Sequence, residues 1–128
     1  MSGTVCRGIR GATTADANTK EAIVSATREL LEAVVSANGI VEVQVAAVFF
    51  TTTRDLNAEF PAVAARQMGW TSTALICGHE MDVPDAATSV VRVLMLVNTD
   101  KSPDRLVNVY LKEAKNLRSR GTETWRGQ

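Results

Sequence analysis

The sequence predicts an α/β or α+β fold in which a mixed β-sheet carries its helices on one face. Apolar patterns follow one another in the order strand, helix, strand, short helix, strand, strand, helix. The strand segments are apolar on both faces, although no sequence remains to cover the second face of the sheet. We therefore expect another subunit to cover that face, so that the protein is an oligomer.

Composition disfavours several classes of function. The 128 residues include 14 basic and 14 acidic side chains, so the chain lacks the positive excess that binding to a phosphate backbone needs. The single His79 and two distant cysteines do not have the spacing of a zinc site. Cys6 and Cys77 are expected to be reduced thiols of a cytoplasmic protein. We find neither a signal peptide nor an apolar stretch long enough to span a membrane.

The first two elements are a strand and a long amphipathic helix. Residues 4–11 alternate as in a strand, and this alternation places Arg10 on a face whose other side chains are small. Asn18 and Glu21 resemble a capping box, and apolar residues then recur at helical spacing until Gly39 ends the helix. We interpret this helix as scaffold.

The next elements are a strand and a short helix. Residues 43–51 have the apolar, β-branched composition of a strand, and Thr51-Thr52-Thr53-Arg54-Asp55 follows. These hydroxyls and turn formers suit either a functional loop or a plain connection, and the plain connection is the commoner case. A short helix is predicted from Pro61 to Met68, with Gly69 as its stop signal.

Two further strands and a last helix complete the predicted domain. Residues 73–78 and 90–97 are apolar strands, and Ser102-Pro103-Asp104 caps a helix whose apolar side includes Tyr110. Residues 119–128 are polar and unpatterned, so we expect a mobile tail behind a single domain of residues 1–118.

Arg92 is the most informative residue, because it places a guanidinium inside the apolar run 90–97. An unpaired buried charge costs several kcal/mol, so Arg92 must face either a carboxylate of its own chain or a cleft that receives an anionic ligand. Glu80 is the candidate partner, since it follows strand 73–78, and two apolar strands joined by a loop holding Pro84-Asp85 would bring Glu80 and Arg92 to neighbouring positions. A structural ion pair and a ligand site both fit these residues.

Short motifs along nearly the whole chain together resemble the monofunctional AroH-class chorismate mutases. They are Arg7-Gly8-Ile9-Arg10-Gly11-Ala12-Thr13-Thr14, Phe60-Pro61-Ala62 with Arg66, Gly69-Trp70, Cys77 with Glu80-Met81-Asp82-Val83, Arg92-Val93, and Val109-Tyr110-Leu111 with Leu117-Arg118. The resemblance implies a homotrimer with a pseudo-α/β-barrel core and active sites between adjacent subunits. It also implies a Claisen rearrangement of chorismate to prephenate, without a cofactor or metal.

The resemblance also implies roles for individual residues. Arg92 corresponds to the arginine that reaches the ether oxygen and a carboxylate of the substrate, Arg10 to a second carboxylate-binding arginine, and Glu80 to the glutamate near the substrate hydroxyl. The remaining implied substrate-binding residues are Cys77 beside Glu80, Tyr110 at a carboxylate, Phe60 and Arg66 from across the interface, and Leu117 and Arg118 on the closing C-terminal segment.

Two positions depart from the family pattern, and one alternative function stays open. Val63 stands where family members often have lysine, and Ile76 where they often have threonine, which puts substrate affinity in doubt more than the reaction. A rearrangement that transfers no proton needs neither a nucleophile nor a general base, which agrees with a site dominated by arginines. The alternative is a trimeric sensor that binds an anionic metabolite without converting it.

Overall fold

The computed structural model describes residues 3–119, which form a five-stranded sheet and two α-helices. The strands are β1 (Val5–Thr14), β2 (Val45–Thr52), β3 (Ala74–His79), β4 (Val90–Thr99) and β5 (Val109–Tyr110), and the helices are α1 (Lys20–Asn38) and α2 (Ala62–Gln67). Within these residues no helix has the length and apolar character that crossing a membrane requires. Most of the predicted tail, residues 120–128, lies outside the described residues.

The sheet has the strand order β3-β2-β4-β1-β5 and is mixed, as predicted. The central strand β4 runs antiparallel to both β1 and β2, whereas β3 is parallel to β2 and β5 is parallel to β1. β3, which ends one residue before Glu80, and β4, which carries Arg92, are therefore not neighbours, because β2 lies between them. Glu80 approaches Arg92 from the far side of β2.

Both helices pack on one face of the sheet, which confirms the predicted layer arrangement. Alternate residues of β1, β2 and β4 meet the apolar side of α1 and the alanines of α2 in one core, which includes Ile9, Leu30, Leu31, Val34, Val48, Phe50, Ala64, Ala65, Val93 and Met95. Gly11 lets α1 approach closely, because a Cβ there would lie 3.1–3.2 Å from atoms of Leu30, Val34 and Val93. The helices are thus scaffold for the strands.

The start of α1 differs from the prediction by one residue. Thr19, not Asn18, caps the helix, and its hydroxyl oxygen accepts a 3.1 Å hydrogen bond from the backbone N–H of Ala22. Asn18 instead accepts bonds from the backbone N–H groups of Asn57 and Ala58, so it holds a distant loop. The helix ends as predicted at Gly39, which adopts the left-handed conformation with φ 61°.

The predicted C-terminal helix is wrong. The chain instead forms a 3₁₀ turn at Pro103–Arg105, the short strand β5, and a 3₁₀ segment at Lys112–Ser119. β5 pairs with Gly11 and Ala12 of β1, and β-branched Val107 and Val109 favour this extended backbone. Strand β1 thus provides backbone hydrogen-bond partners of this segment. In a helix those partners would come from the segment itself.

The face of the sheet opposite the helices is open in the single chain. Phe49 and Leu94 lie on it side by side and are 42% and 39% exposed, and Ile76 beside them is 61% exposed. The strands are therefore apolar on both faces, as the sequence predicts. The same face carries the candidate site.

Candidate active site

The strand register aligns one row of residues across the open face of the sheet. Arg92 of β4 lies opposite Ala12 of β1 on one side and opposite Thr51 of β2 on the other. Ala12 in turn lies opposite Tyr110 of β5, and Thr51 lies opposite Gly78 of β3. Because residues directly opposite each other share a face, Arg92, Thr51 and Tyr110 project into the same space. Arg10 precedes Ala12 by two residues and so shares that face.

Glu80 forms an ion pair with Arg92 on the open face of the sheet. Its carboxylate oxygen Oε2 lies 3.6 Å from Arg92 Nε, and the two side chains are 30% and 44% exposed. The backbone N–H of Glu80 donates a 2.8 Å hydrogen bond to the carbonyl of Thr52, which fixes the chain just beyond the end of β3. The hydroxyl of Thr51 donates to the same Oε2. The predicted partnership of Glu80 with Arg92 therefore forms.

The pair lies at the wall of a cleft of about 440 Å³, not in the core. The polar side chains that line the cleft are Arg10, Thr51, Glu80, Arg92 and Tyr110, and Phe49 and Leu94 provide apolar surface. Two guanidiniums against one carboxylate give the cleft a net positive charge, which suits an anionic ligand. Of the two readings of Arg92, the partial exposure and the cleft favour the ligand site over a buried structural ion pair.

Three of the other predicted site residues, Phe60, Arg66 and Cys77, lie in a second cluster around α2 and β3. Phe60 is 66% exposed and lines a cavity of about 300 Å³ together with Cys77. Cys77 projects toward the helical face and packs partly against the core. Burial raises the pKa of the Cys77 thiol, and the nearby Arg66 guanidinium partly opposes this rise. The thiol is thus neutral at physiological pH.

The structure does not unite the two clusters within one chain. Arg10, Glu80, Arg92 and Tyr110 line the cleft on the open face, whereas Phe60 and Cys77 line the second cavity. Leu117 is partly buried in the C-terminal 3₁₀ segment and lines neither space. The side chain of Arg118 lies outside the described residues.

Two residues at the ends of β2 and β3 have surroundings that the sequence does not predict. His79, which has no predicted catalytic role, is held against Thr52, with its Nδ1 3.2 Å from the Thr52 hydroxyl oxygen. Thr51 is part of the cleft, although the sequence analysis favours a plain connection there. The signal that could have identified Thr51 is its place in the strand alternation, which puts its hydroxyl on the face of Phe49.

The fold places a cleft with two guanidiniums and one carboxylate on the open face of a mixed sheet, and this charge suits a small anionic molecule. The sequence matches the family model of chorismate mutase type I over residues 6–120. The chain belongs to this family.

Individual relatives agree with the family assignment. A chorismate mutase AroH of Thermus thermophilus is 51% identical over 113 residues, which cover 88% of this chain and 93% of that protein. A chorismate mutase AroH of Bacillus subtilis is 40% identical over 88% of this chain and 89% of that protein. The structure of a chorismate mutase from Clostridium thermocellum superposes with a TM-score of 0.84 at 50% identity and covers 85% of this chain and 97% of that one.

Proposed function

We propose that the protein is a chorismate mutase, an isomerase that converts chorismate to prephenate by a Claisen rearrangement in the biosynthesis of phenylalanine and tyrosine. The observation that carries the proposal is the position of Arg92, which is half-exposed on the wall of a cleft that also contains Arg10, Glu80 and Tyr110. The similarity to chorismate mutases over most of the chain supports this reading.

The cleft residues suit a reaction that needs position and charge but no proton transfer. Arg10 and Tyr110 would bind carboxylates of the substrate dianion and so hold it in the compact conformer that reacts. Arg92 would stabilise the negative charge that grows on the ether oxygen as the C–O bond breaks. Even modest enzymes lower a barrier by about 8 kcal/mol, and one preorganised donor typically supplies about 3 kcal/mol of that reduction.

We further propose that the protein is a homotrimer whose active sites lie between adjacent subunits. The division of the site residues supports this, because Phe60, Arg66 and Cys77 of one chain would complete the cleft of the next. The exposed apolar residues of the open sheet face supply surface for such an interface. We also propose a cytoplasmic location, which agrees with two cysteines that are not joined in a disulfide.

The activity itself is tested by mixing the protein with chorismate and following the loss of its ultraviolet absorbance. Conversion to prephenate at a rate proportional to protein concentration is the expected result. Saturable binding without conversion would instead identify a sensor of an anionic metabolite. If the protein neither converts nor binds chorismate, only a structural role remains.

The role of Arg92 is tested by replacing it with citrulline, which keeps the shape and several donors but removes the charge. We expect near-normal binding of chorismate and a loss of roughly 3 kcal/mol of transition-state stabilisation, seen mainly in kcat. Arg92→Lys should also be severely impaired, since a point charge cannot reproduce a planar fork. Thermal unfolding is measured alongside the kinetics, because citrulline in place of Arg92 leaves the Glu80 carboxylate without a cation beside it. A folded citrulline variant within tenfold of the parent would refute the electrostatic role.

A further inference from the structure

Thr51 lies beside Glu80 and Arg92 in the cleft and contacts Glu80 directly. It sits opposite Arg92 in the strand register, and its hydroxyl donates to Glu80 Oε2. That oxygen is also the one 3.6 Å from Arg92 Nε. We propose that Thr51 is a positioning residue, which holds the Glu80 carboxylate so that Arg92 presents its terminal nitrogens to the substrate. The proposal rests on the function proposed above.

The Glu80 carboxylate needs a positioning residue because Glu80 lies at the start of an exposed loop. Its backbone N–H is bonded to Thr52, but the chain then enters a loop whose residues 81–88 are all exposed. A glutamate side chain has three rotatable bonds, so a backbone anchor alone leaves the carboxylate free to move. Thr51 supplies the second anchor, on the carboxylate itself.

The geometry between Glu80 and Arg92 explains what the hydrogen bond from the Thr51 hydroxyl achieves. Arginine and carboxylate groups commonly pair side by side through two parallel hydrogen bonds, which would occupy terminal nitrogens of the guanidinium. In this cleft Glu80 Oε2 lies 3.6 Å from Arg92 Nε, which is longer than a hydrogen bond, so the two groups form an ion pair and not that fork. A hydroxyl on Oε2 keeps the carboxylate over β2 and away from the far end of Arg92. The guanidinium then stays oriented and accessible.

Threonine suits this task on a strand. Its β-branched side chain is stiff at χ1, so the hydroxyl has few alternative positions and little entropy to lose. Thr51→Val keeps the shape and removes only the hydroxyl, whereas Thr51→Ser keeps the hydroxyl. Thr73→Val is the matched control, because Thr73 donates a 3.0 Å hydrogen bond to Glu42 Oε2 in the same manner but lines neither the cleft nor the cavity of Phe60.

The kinetic test measures kcat and KM of these variants with chorismate. We expect Thr51→Val to lose roughly tenfold in kcat with less than about threefold change in KM, because Arg10 and Tyr110 still bind the substrate. Thr51→Ser should recover most of the loss, and Thr73→Val should match the parent. Equal kcat in Thr51→Val and the parent would overturn the proposal.

A double-mutant cycle separates positioning through Glu80 from a general effect on the strand. If Thr51 acts through Glu80, Thr51→Val should change kcat less than about twofold in a Glu80→Ala background. A full, additive loss in that background would contradict the proposal.

An NMR measurement tests the position of Arg92 without turnover. The Nε–H signal of Arg92, identified by its loss in Arg92→Lys, should shift in Thr51→Val and in Glu80→Ala but not in Thr73→Val. An unchanged signal in Thr51→Val would refute the positioning role. Failure of the proposed function appears separately, as an inactive parent protein, and leaves this readout intact.

Discussion

At the scale of single residues, Asp55 shows how the end of the loop before β4 is held. Its carboxylate accepts hydrogen bonds from both the backbone N–H (2.9 Å) and the hydroxyl of Ser89, a residue with the unfavourable φ of 60°. Slight burial alone would raise the pKa of Asp55. Hydrogen bonds from Thr53, from its own backbone and from Ser89 outweigh that effect and lower the pKa.

This lowered pKa gives stability a defined pH dependence. The folded-state pKa of Asp55 lies below the unfolded-state value of about 3.9, so its contribution is complete above that value and is lost as the pH falls through the folded-state value. We expect Asp55→Asn to have a lower thermal midpoint than the parent at pH 7, and the difference should shrink below about pH 4. Asp100→Asn, at another exposed aspartate, serves as the control. A difference that stays constant down to pH 2 would contradict the assignment.

The residue scale also shows what a sequence can and cannot predict about the cleft. Arg92 was identifiable because a guanidinium in an apolar strand demands an explanation, and Glu80 was the candidate carboxylate because it follows the preceding strand. Strand alternation indicates the face on which Thr51 lies, but its contact with Glu80 was not identifiable, because a threonine at the end of a strand is ordinary composition. Only the register, which places Thr51 opposite Arg92 and puts β2 between Glu80 and Arg92, reveals its contact.

At the scale of elements, the segment after β4 is the one for which the sequence predicts the wrong structure, a helix in place of a strand and 3₁₀ turns. Leu106, Val109, Tyr110, Ala114 and Leu117 recur at helical spacing. The structure satisfies the same apolar positions with a strand and 3₁₀ turns, and it buries Ala114 completely. The competing interactions are tertiary and come from residues about 70–100 positions away, so local periodicity could not reveal them.

Asn38 is one of these distant partners. It is 4% exposed at the end of α1, and its amide group donates 2.9 Å bonds to the carbonyls of Val34 and Val107 and accepts a 2.7 Å bond from the Val107 N–H. Asn108 adds a bond from the Arg10 backbone N–H to its side-chain oxygen. These contacts seat β5 beside β1, and β5 brings Tyr110 into the cleft.

We therefore expect Asn38→Leu to weaken both the fold and the site. Removing the Asn38 partner of the part-buried hydrogen bonds to the Val107 backbone should cost about 1–2 kcal/mol of unfolding free energy. A less firmly held β5 should also raise KM for chorismate more than it lowers kcat. Urea unfolding and steady-state kinetics at one fixed protein concentration measure the two effects, with exposed Asn98→Leu as control. Stability equal to that of the control would show that β5 is seated without Asn38.

At the scale of the whole molecule, the first six predicted elements and the placement of helices on one face were predictable, because each depends on a local pattern that the sheet satisfies. The oligomer stays a prediction, because the single chain shows only a sheet face that needs cover. Strands apolar on both faces require a cover, and a resemblance supplied the number of subunits. The separation of Phe60 and Cys77 from Arg92 now adds a geometric reason for shared sites.

Hybrid trimers test the shared sites directly. Arg92→Lys damages the cleft on the open face, and the double variant Phe60→Ala/Arg66→Ala damages the second cluster, so each homotrimer should be nearly inactive. In any mixed trimer, one of the three interfaces joins an intact cleft to an intact second cluster. Random assembly from equal amounts places about three quarters of the trimers in the mixed class, so the mixture should recover about one quarter of the parent activity.

The control for this experiment mixes Arg92→Lys with Glu80→Ala, which damage the same cluster, so no interface in any hybrid is intact. The chains are unfolded and refolded together, light scattering verifies the trimer mass, and chorismate conversion is measured in each mixture. Recovery in the first mixture alone is expected, because only then do two damaged chains supply complementary intact clusters. Absence of recovery with verified trimers, or full activity of the parent as a monomer at nanomolar concentration, would show that one chain forms the whole site.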